Sequence, residues 1–504
     1  MTPAVTSDTA RSERFLPWLL LLALALITAY RGYCLYHDGL DLYVDEAQYW
    51  TWAQKLDWGY YSKPPVIAAV IALTTSVCGD GPFCVKSGAL LLYPLSTLLL
   101  WALARRLFGG RTAFWCALAF LLLPGVSLSS LIISTDVPFF LFWTLALYAY
   151  WRGTENGAWG WWLLAGLAAG AGLLTKYTMV IFALSVLLHL ALTPSLRRYL
   201  RDPRPYAASL VALLVLTPNL WWNARHGWPT LRHTEDISHL NGDAGLHWNH
   251  LGDFLGGQFA VMGPLFFGTW LALTLWRPRG WYADPRYRFL ACFSLPFLGL
   301  ISLQALLGRA NANWGAMTYA TATIFLVALL LQRGRTSLFA AGLAFNALLM
   351  PIAYHFDDLT RYFVVDLSAR TDPYKRVRGW AQLCRQAQFL RTQYPQALFL
   401  GDSREVLAEL MYYVQPHPLD AVLWNPHRVM DNHYALSTSM DDKLGRDFLY
   451  ITEADRLPPE MLAGFDGVEA LPPLHVTVHR DYALDYRAWY LQGFKGYVKG
   501  EQQR

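Results

Sequence analysis

Apolar residues are grouped along the chain in long runs that short polar connections separate. Runs near the length that a helix needs to cross a bilayer, about 20 residues, begin near Phe15, Val85, Thr112, Val137, Trp159, Thr178, Tyr206, Gln258, Tyr287, Trp314 and Thr336. The pattern therefore predicts an α-helical polytopic membrane protein with about 11 transmembrane helices.

Two apolar segments need separate treatment. The first run, 15–30, follows Arg11 and Arg14 as a secretory signal would, but no small-residue cleavage site comes after it, so we expect an uncleaved anchor. The segment 65–77 is too short to cross, and Pro64 and Pro65 suit a first helical turn. We predict a surface or re-entrant helix there.

After His355 the long apolar runs stop and short blocks follow. They predict strands at 397–402 and 447–451 and helices at 374–389 and 404–413. Strands that alternate with helices indicate a small α/β domain outside the membrane. We therefore predict a transmembrane catalytic domain over 1–354, with a first outward loop over 35–85, and a periplasmic α/β domain over 355–504.

Composition supports a membrane protein, since 55% of the 504 residues are hydrophobic and mean hydropathy is +0.24. Arginines lie in every second connection: Arg105, Arg106, Arg111, Arg152, Arg197, Arg198, Arg201, Arg204, Arg277, Arg279, Arg333 and Arg335. The positive-inside rule makes those connections cytoplasmic and the alternate ones outward. The same arginines explain the net charge of +5, so it is no sign of nucleic-acid binding.

The first outward loop mixes acids with aromatic residues, a pattern that indicates a polar ligand at the membrane face. Spacings of three and four residues after Asp45 predict a short amphipathic helix along the membrane surface. Asp45 could simply cap that helix, because Gln48 follows three residues later as in a capping box. A catalytic role is the second interpretation, since ionisable groups at membrane depth are costly and usually functional.

Three other outward loops carry candidate residues. Asp136 could cap the helix that follows it or meet the acids of the first loop. Lys176 could snorkel to lipid head groups or bind a lipid phosphate. Arg225 suits bidentate phosphate recognition and, with Lys63, could neutralise a lipid phosphate.

Metal dependence stays open at this point. Asp45, Glu46 and Asp136 could together hold a divalent cation, whereas no Cys/His spacing resembles a zinc site. Cys78 and Cys84 flank a Gly-rich turn on the outward side, where an oxidising compartment would permit a disulfide. No cofactor is expected with certainty.

An ordered set of motifs resembles the GT-C membrane glycosyltransferases, in the branch of the lipid A aminoarabinose transferases and the bacterial relatives of protein O-mannosyltransferases. The segments that carry the resemblance are 44–50 (VDEAQYW), 59–65 (GYYSKPP), 135–138 (TDVP), 175–177 (TKY) and 222–226 (WNARH). The resemblance covers roughly residues 15–351.

The resemblance implies transfer of a sugar from a polyprenyl-phosphate donor to a lipid, glycan or protein acceptor, lipid A among them. Transfer would occur at the periplasmic face of the bacterial inner membrane. Asp45 would correspond to the general base of such enzymes and Asp136 would support it, while Lys63 would contact the donor phosphate. Ser62 stands where the aminoarabinose transferases have an acid, so the resemblance does not extend to their sugar or to a metal held by that acid.

The expected chemistry agrees with the residue types. A base takes the proton of the acceptor hydroxyl, and cations steady the departing phosphate, here Lys63, Arg225 and Lys176. Single displacement would invert the anomeric centre. Substrate contacts are expected from Glu46, Tyr60, Tyr61 and His226. The alternative is a transporter or flippase of a lipid-linked sugar, although the internal repeats and broken helices typical of transporters are not evident.

Overall fold

The computed structural model describes residues 7–238, 245–276 and 279–497, so Arg277 lies outside the described residues. The helices are Ser7–His37, Val44–Ala53, Val66–Cys78, Pro82–Lys86, Gly88–Phe108, Gly110–Leu121, Pro124–Ser129, Asp136–Asn156, Trp159–Leu173, Val180–Leu192, Pro203–Arg225, Pro229–Ser238, Trp248–Met262, Pro264–Trp276, Arg279–Tyr282, Pro285–Leu307, Thr318–Gln332, Thr336–Tyr354, Phe356–Tyr362, Trp380–Gln393, Arg404–Tyr413, His433–Ser437 and Pro459–Ala463. Short 3₁₀ turns are Tyr177–Met179, Pro194–Leu200, Ala312–Gly315 and Lys375–Val377.

Helices occupy the places where the sequence predicts membrane spans. By length and composition, 5 of the described helices could each cross a bilayer, and the pair Trp248–Met262 and Pro264–Trp276, bent by 116°, would make a sixth. Four further apolar helices of 10–17 residues in the described residues fall at other predicted spans, and a fifth, Val66–Cys78, lies where the sequence predicts a surface or re-entrant helix. The chain is thus a multi-pass membrane protein, while the number 11 stays a prediction.

The C-terminal part contains a five-stranded sheet. Its strands are β1 (Leu398–Gly401), β2 (Val422–Leu423), β3 (Phe448–Thr452), β4 (Phe465–His479) and β5 (Tyr482–Phe494), in the order β2-β1-β3-β5-β4. β1 runs parallel to β2 and β3, and β5 is antiparallel to β3 and β4. The predicted small α/β domain is therefore present, with a long β4–β5 hairpin that the sequence analysis did not predict.

The chain divides into two compact units. The helical unit comprises the described residues of Met1–Asp38 together with Lys63–Ile67 and Lys86–Phe356. The sheet unit comprises Gly39–Ser62, Ala68–Val85 and the described residues from Asp357 onward. Most of the first outward loop thus belongs to the same compact unit as the sheet.

Two helices of the helical unit approach each other closely because glycines line their contact. Gly166 and Gly170, one helical turn apart on Trp159–Leu173, face the helix Pro203–Arg225. A Cβ at Gly170 would lie 2.6 Å from Cβ of Val215, and one at Gly166 would clash with the Ala208 backbone. Small residues at this spacing let membrane helices pack backbone to backbone. The close packing brings the C-terminal ends of both helices together.

Candidate active site

Asp136 is the first residue of the helix Asp136–Asn156, and both of its carboxylate oxygens have partners. Oδ1 accepts a hydrogen bond from Nζ of Lys176 at 2.8 Å, and Oδ2 accepts one from Nδ2 of Asn313 at 2.7 Å. The side chains of Asp136 and Lys176 are only 8% and 17% exposed. These partners are side chains of other segments, not the backbone N–H groups that a capping residue would bind. The bonds of the Asp136 carboxylate instead tie three distant segments into one charged cluster.

The buried ion pair answers the question that the sequence left open for Lys176. Its ammonium points to a carboxylate inside the protein, so it does not snorkel away from the unit. An ammonium carries three donors, and one of them is used by Asp136. The other two remain chemically able to bind an anion such as a phosphate oxygen.

The three predicted phosphate-binding cations come from segments that hydrogen bonds hold side by side. The backbone N–H of Val66, three residues after Lys63, donates to the Leu174 carbonyl at 3.2 Å. The hydroxyl of Tyr177, next to Lys176, donates to Oδ1 of Asn219 at 2.6 Å. Asn223, two residues before Arg225, donates to the same hydroxyl at 3.2 Å. The helical unit thus gathers the segments of all three cations.

Arg225 ends the helix Pro203–Arg225, with its guanidinium carbon 3.6 Å from the ring centroid of Trp221. A cation over an indole face is held in place without losing its charge. His226 follows directly, stacks on Trp222 and hydrogen-bonds the Trp222 carbonyl through Nδ1 at 2.8 Å. Both residues are exposed and positioned by tryptophans of the same helix end.

Asn313 was missed by sequence reasoning. It lies in the 3₁₀ turn Ala312–Gly315, whose Ala312 carbonyl accepts a hydrogen bond from Nε2 of Gln258 at 3.1 Å. The hydroxyl of Tyr319 donates in turn to Oε1 of Gln258. Gln258 and Tyr319 are buried. The sequence did offer a signal in Gln258, a polar residue within an apolar run, because an amide that is buried there needs hydrogen-bond partners.

In the sheet unit, Asp45 is the second residue of the helix Val44–Ala53 and pairs with Arg404. Nη1 of Arg404 donates to the Asp45 carboxylate at 2.8 Å and to Oε1 of Gln48 at 2.7 Å. Burial lowers the pKa of Arg404, but the carboxylates of Asp45 and Glu405 outweigh it and raise that pKa above its ordinary value. Arg404 is therefore a permanent cation that orients Asp45.

The capping interpretation of Asp45 is wrong. The helix starts one residue earlier, at Val44, and the Glu46 carboxylate accepts the backbone N–H of Tyr43 at 2.8 Å. Glu46 is buried, as is most of this helix, which packs on Arg404–Tyr413. The predicted surface helix is thus an internal helix of the sheet unit.

Tyr60 and Tyr61 are buried in the same unit. Tyr60 stacks on Trp52 with ring centroids 4.5 Å apart and donates its hydroxyl to the Trp52 carbonyl at 3.2 Å. Burial, helped by the charge of Asp57, raises the pKa of Tyr60 to about 12. The Tyr61 hydroxyl donates to the Met430 carbonyl at 3.2 Å. Both side chains therefore stabilise the conformation of the first outward loop.

Metal ligands are not gathered in the part of the chain that the structure describes, where no three His, Cys, Asp or Glu side chains form a metal-binding group. Both oxygens of Asp136 face N–H donors, which suits an ion pair better than a cation site.

Cys78 and Cys84 form a disulfide.

The sequence is similar to a known protein family and to individual proteins. The family described as dolichyl-phosphate-mannose-protein mannosyltransferase matches residues 62–222. The chain is 34% identical over 440 residues to the lipid A galacturonosyltransferase RgtD of Rhizobium johnstonii, which covers 86% of this chain and 90% of that protein. It is 37% identical over 186 residues to an undecaprenyl phosphate-alpha-4-amino-4-deoxy-L-arabinose arabinosyl transferase of Pseudomonas paraeruginosa, covering 35% of this chain and 33% of that one.

The fold also has a counterpart among solved structures. ArnT from Cupriavidus metallidurans bound to undecaprenyl phosphate superposes with a TM-score of 0.63 at 16% identity, covering 94% of this chain and 98% of that chain. The apo form of the same protein gives a TM-score of 0.57. At this level of identity the likeness concerns the fold.

Proposed function

The chain belongs to the GT-C membrane glycosyltransferases, and we propose that it moves a sugar from a polyprenyl-phosphate donor to a lipid or glycan acceptor. The reaction would take place at the periplasmic face of a bacterial inner membrane, with a catalytic domain over 1–354 and a periplasmic domain over 355–504. Lipid A is the first acceptor to test and galacturonate the first sugar, because both stand in the name of the relative that covers most of the chain.

The observation that carries this proposal is the cluster of Asp136, Lys176 and Asn313 beside the segments of Lys63 and Arg225. A polyprenyl phosphate leaves as an anion, and cations fixed in a site that excludes water stabilise that charge strongly. Asp136 keeps Lys176 in place before the donor binds, so the ammonium need not reorganise when the phosphate arrives.

The proposed step is a single displacement. The acceptor oxygen forms a bond to the anomeric carbon, and the bond from that carbon to the phosphate oxygen breaks. The phosphate leaves with the electron pair, and the proton of the acceptor hydroxyl passes to the Asp45 carboxylate, so the anomeric centre inverts. Phosphate departs readily without protonation, so one base suffices, whereas glycosidases pair two carboxyl groups.

The remaining predicted substrate contacts are of two kinds, one exposed and the others buried. His226 is exposed beside Arg225 and would touch the donor directly. Glu46, Tyr60 and Tyr61 are buried and would act by positioning the helix that carries Asp45. A transporter of the same lipid-linked sugar is the less favoured function, since the family consists of transferases.

The test uses the purified full-length protein in liposomes with polyprenyl-phosphate-linked galacturonate and lipid A. We expect release of polyprenyl phosphate and a lipid A product that is heavier by one sugar, both measured by mass spectrometry. Asp45→Asn should lower the rate by roughly 10²–10⁴, as loss of a general base does. Lys63→Ala should lower it by about 10² through loss of charge stabilisation.

Arg106→Gln provides the matched control, because Arg106 pairs with Glu155 at an exposed site. We expect this variant to keep the wild-type rate. Movement of intact donor across the bilayer without release of polyprenyl phosphate would contradict the proposal. A full rate in Asp45→Asn would refute the assignment of the base and leave the donor class standing.

A further inference from the structure

Four consecutive apolar residues of the sheet unit are exposed: Tyr362, Phe363, Val364 and Val365. Their exposed fractions are 80%, 67%, 86% and 52%, and in the described residues no other four consecutive large apolar residues are all exposed. We call this segment the apolar tip. A soluble surface rarely exposes such a contiguous apolar patch unless something covers it.

The backbone of the tip is strained. The segment closes the helix Phe356–Tyr362 through bonds from Val364 N to the Arg361 carbonyl and from Val365 N to the Thr360 carbonyl, at 3.2 and 2.9 Å. Val364 has a φ of +52°, in the left-handed region that glycine normally occupies at a helix end. A β-branched residue is unfavourable in this backbone conformation. An apolar side chain kept at that position, although glycine would relieve the strain, suggests that the side chain itself is used.

The tip is also firmly held. Arg378 donates to both oxygens of Asp357 at 2.8 and 2.5 Å and to Asp372 at 2.7 Å. Asp372 is buried and accepts another hydrogen bond from His479 at 2.8 Å. Burial raises the pKa of Asp372, but the bonds from His479, the Tyr374 backbone and Arg378 outweigh it and lower that pKa. These ion pairs fasten the helix that carries the tip to the sheet unit.

Chain length limits what the tip can reach. The helix Thr336–Tyr354 is one of those long and apolar enough to cross a bilayer, and Tyr362 follows only eight residues later. Seven of those residues form the helix Phe356–Tyr362, which is about 10 Å long at 1.5 Å per residue. The tip is therefore separated by only a few residues along the chain from the end of a candidate membrane span. Aromatic residues with a nearby arginine, here Arg361, are typical of the interface between lipid and water.

We propose that the apolar tip inserts into the bilayer interface and anchors the sheet unit to lipid. Tyr362 and Phe363 would lie at the level of the head groups, and Val364 and Val365 would enter the acyl boundary. The proposal concerns lipid and does not rest on the transferase reaction.

The test places a fluorescent label on Val364→Cys in the full-length protein, reconstituted in nanodiscs of phosphatidylethanolamine and phosphatidylglycerol. The native free cysteines among the described residues, Cys34, Cys116, Cys292 and Cys384, are buried and should label poorly. Phe389→Cys is the matched control, because Phe389 is equally apolar and 64% exposed on another helix of the sheet unit. Phe363→Cys repeats the test should Val364→Cys fail to fold.

We expect nitroxide-bearing lipids to quench the label at 364 or 363 several-fold more than at 389, and aqueous iodide to quench it less. Equal iodide quenching at the tip and at 389 would refute lipid insertion. A label at the tip that is shielded from both quenchers would also refute it, because such shielding indicates a protein partner or a second copy of the chain.

Discussion

The ion pair between Asp136 and Lys176 offers a quantitative test of how the helical unit is held together. Lys176→Met removes the ammonium and keeps the length of the side chain, while Asp136→Asn removes the carboxylate charge. The double variant removes both charges. If the two residues act as a pair, the double variant should lose far less free energy of unfolding than the sum of the losses in the two single variants.

The magnitude follows from the geometry. Unit charges 2.8 Å apart attract by about 6 kcal/mol at an effective dielectric constant near 20. Most of this is offset by the desolvation of both groups, so the measurable quantity is the penalty for leaving one charge buried alone. Such penalties are about 3–5 kcal/mol. We expect Lys176→Met to lower the free energy of unfolding by about 3 kcal/mol, at the lower end of this range. The penalty is small because Asn313 still donates to the other carboxylate oxygen of Asp136.

The assay follows unfolding in detergent with a thiol-reactive dye. Cys116 and Cys292 are buried in apolar helices of the helical unit and become reactive when it opens. With about 2 °C of Tm per kcal/mol for a large domain, Lys176→Met should lower Tm by about 6 °C. Glu155→Gln breaks the exposed pair with Arg106 and should shift Tm by no more than about 1 °C.

The refuting result is additivity. If the shifts of the two single variants add up to the shift of the double variant within about 0.5 kcal/mol, the side chains are not coupled as the structure describes. A coupling of about 2 kcal/mol or more would support a buried pair, which is also the state needed for a prearranged phosphate site.

Three further predictions follow from other parts of the chain. Asn313→Ala removes a hydrogen bond to a carboxylate worth about 1.5–3 kcal/mol and should lower the rate of donor turnover by at least tenfold, whereas an unchanged rate would exclude a role in positioning Asp136. Burial lowers the pKa of His433 to about 4, partly countered by Asp57. Because the unfolded chain protonates first as pH falls from about 6.5 to about 4, stability should decrease over that window and stay level above it. The drop in Tm between about pH 7.5 and 5 should therefore be smaller in His433→Phe, and equal drops would contradict this. Finally, alkylation of the denatured, unreduced protein should modify 4 of the 6 cysteines, with Cys78 and Cys84 modified only after reduction.

The local patterns of the sequence predicted much of the architecture. The helix Arg404–Tyr413 and the strands β1 and β3 lie where alternation and apolar runs placed them, because their neighbours in sequence already specify burial. The β4–β5 hairpin was missed. Pro472 and Pro473 interrupt β4 at an irregularity in its pairing with β5, and proline argues against a strand when only the sequence is read.

For the candidate site, too, the sequence indicated some features and missed others. Motif order was enough to indicate the GT-C family, which the long match to a lipid A galacturonosyltransferase confirms. The assigned roles of Asp45, Asp136 and the three cations remain proposals. Motifs could not indicate Arg404 or Asn313, which carry no distinctive local pattern.

The sequence by itself determined the class of protein, because apolar run length and arginine placement reflect the bilayer directly and need no knowledge of distant contacts. Only the tertiary structure decided which groups face each charge. Arg404 reaches Asp45 across 359 positions and Asn313 reaches Asp136 across 177. Such partners meet because helices pack at particular depths and angles, and that geometry is a property of the folded chain as a whole.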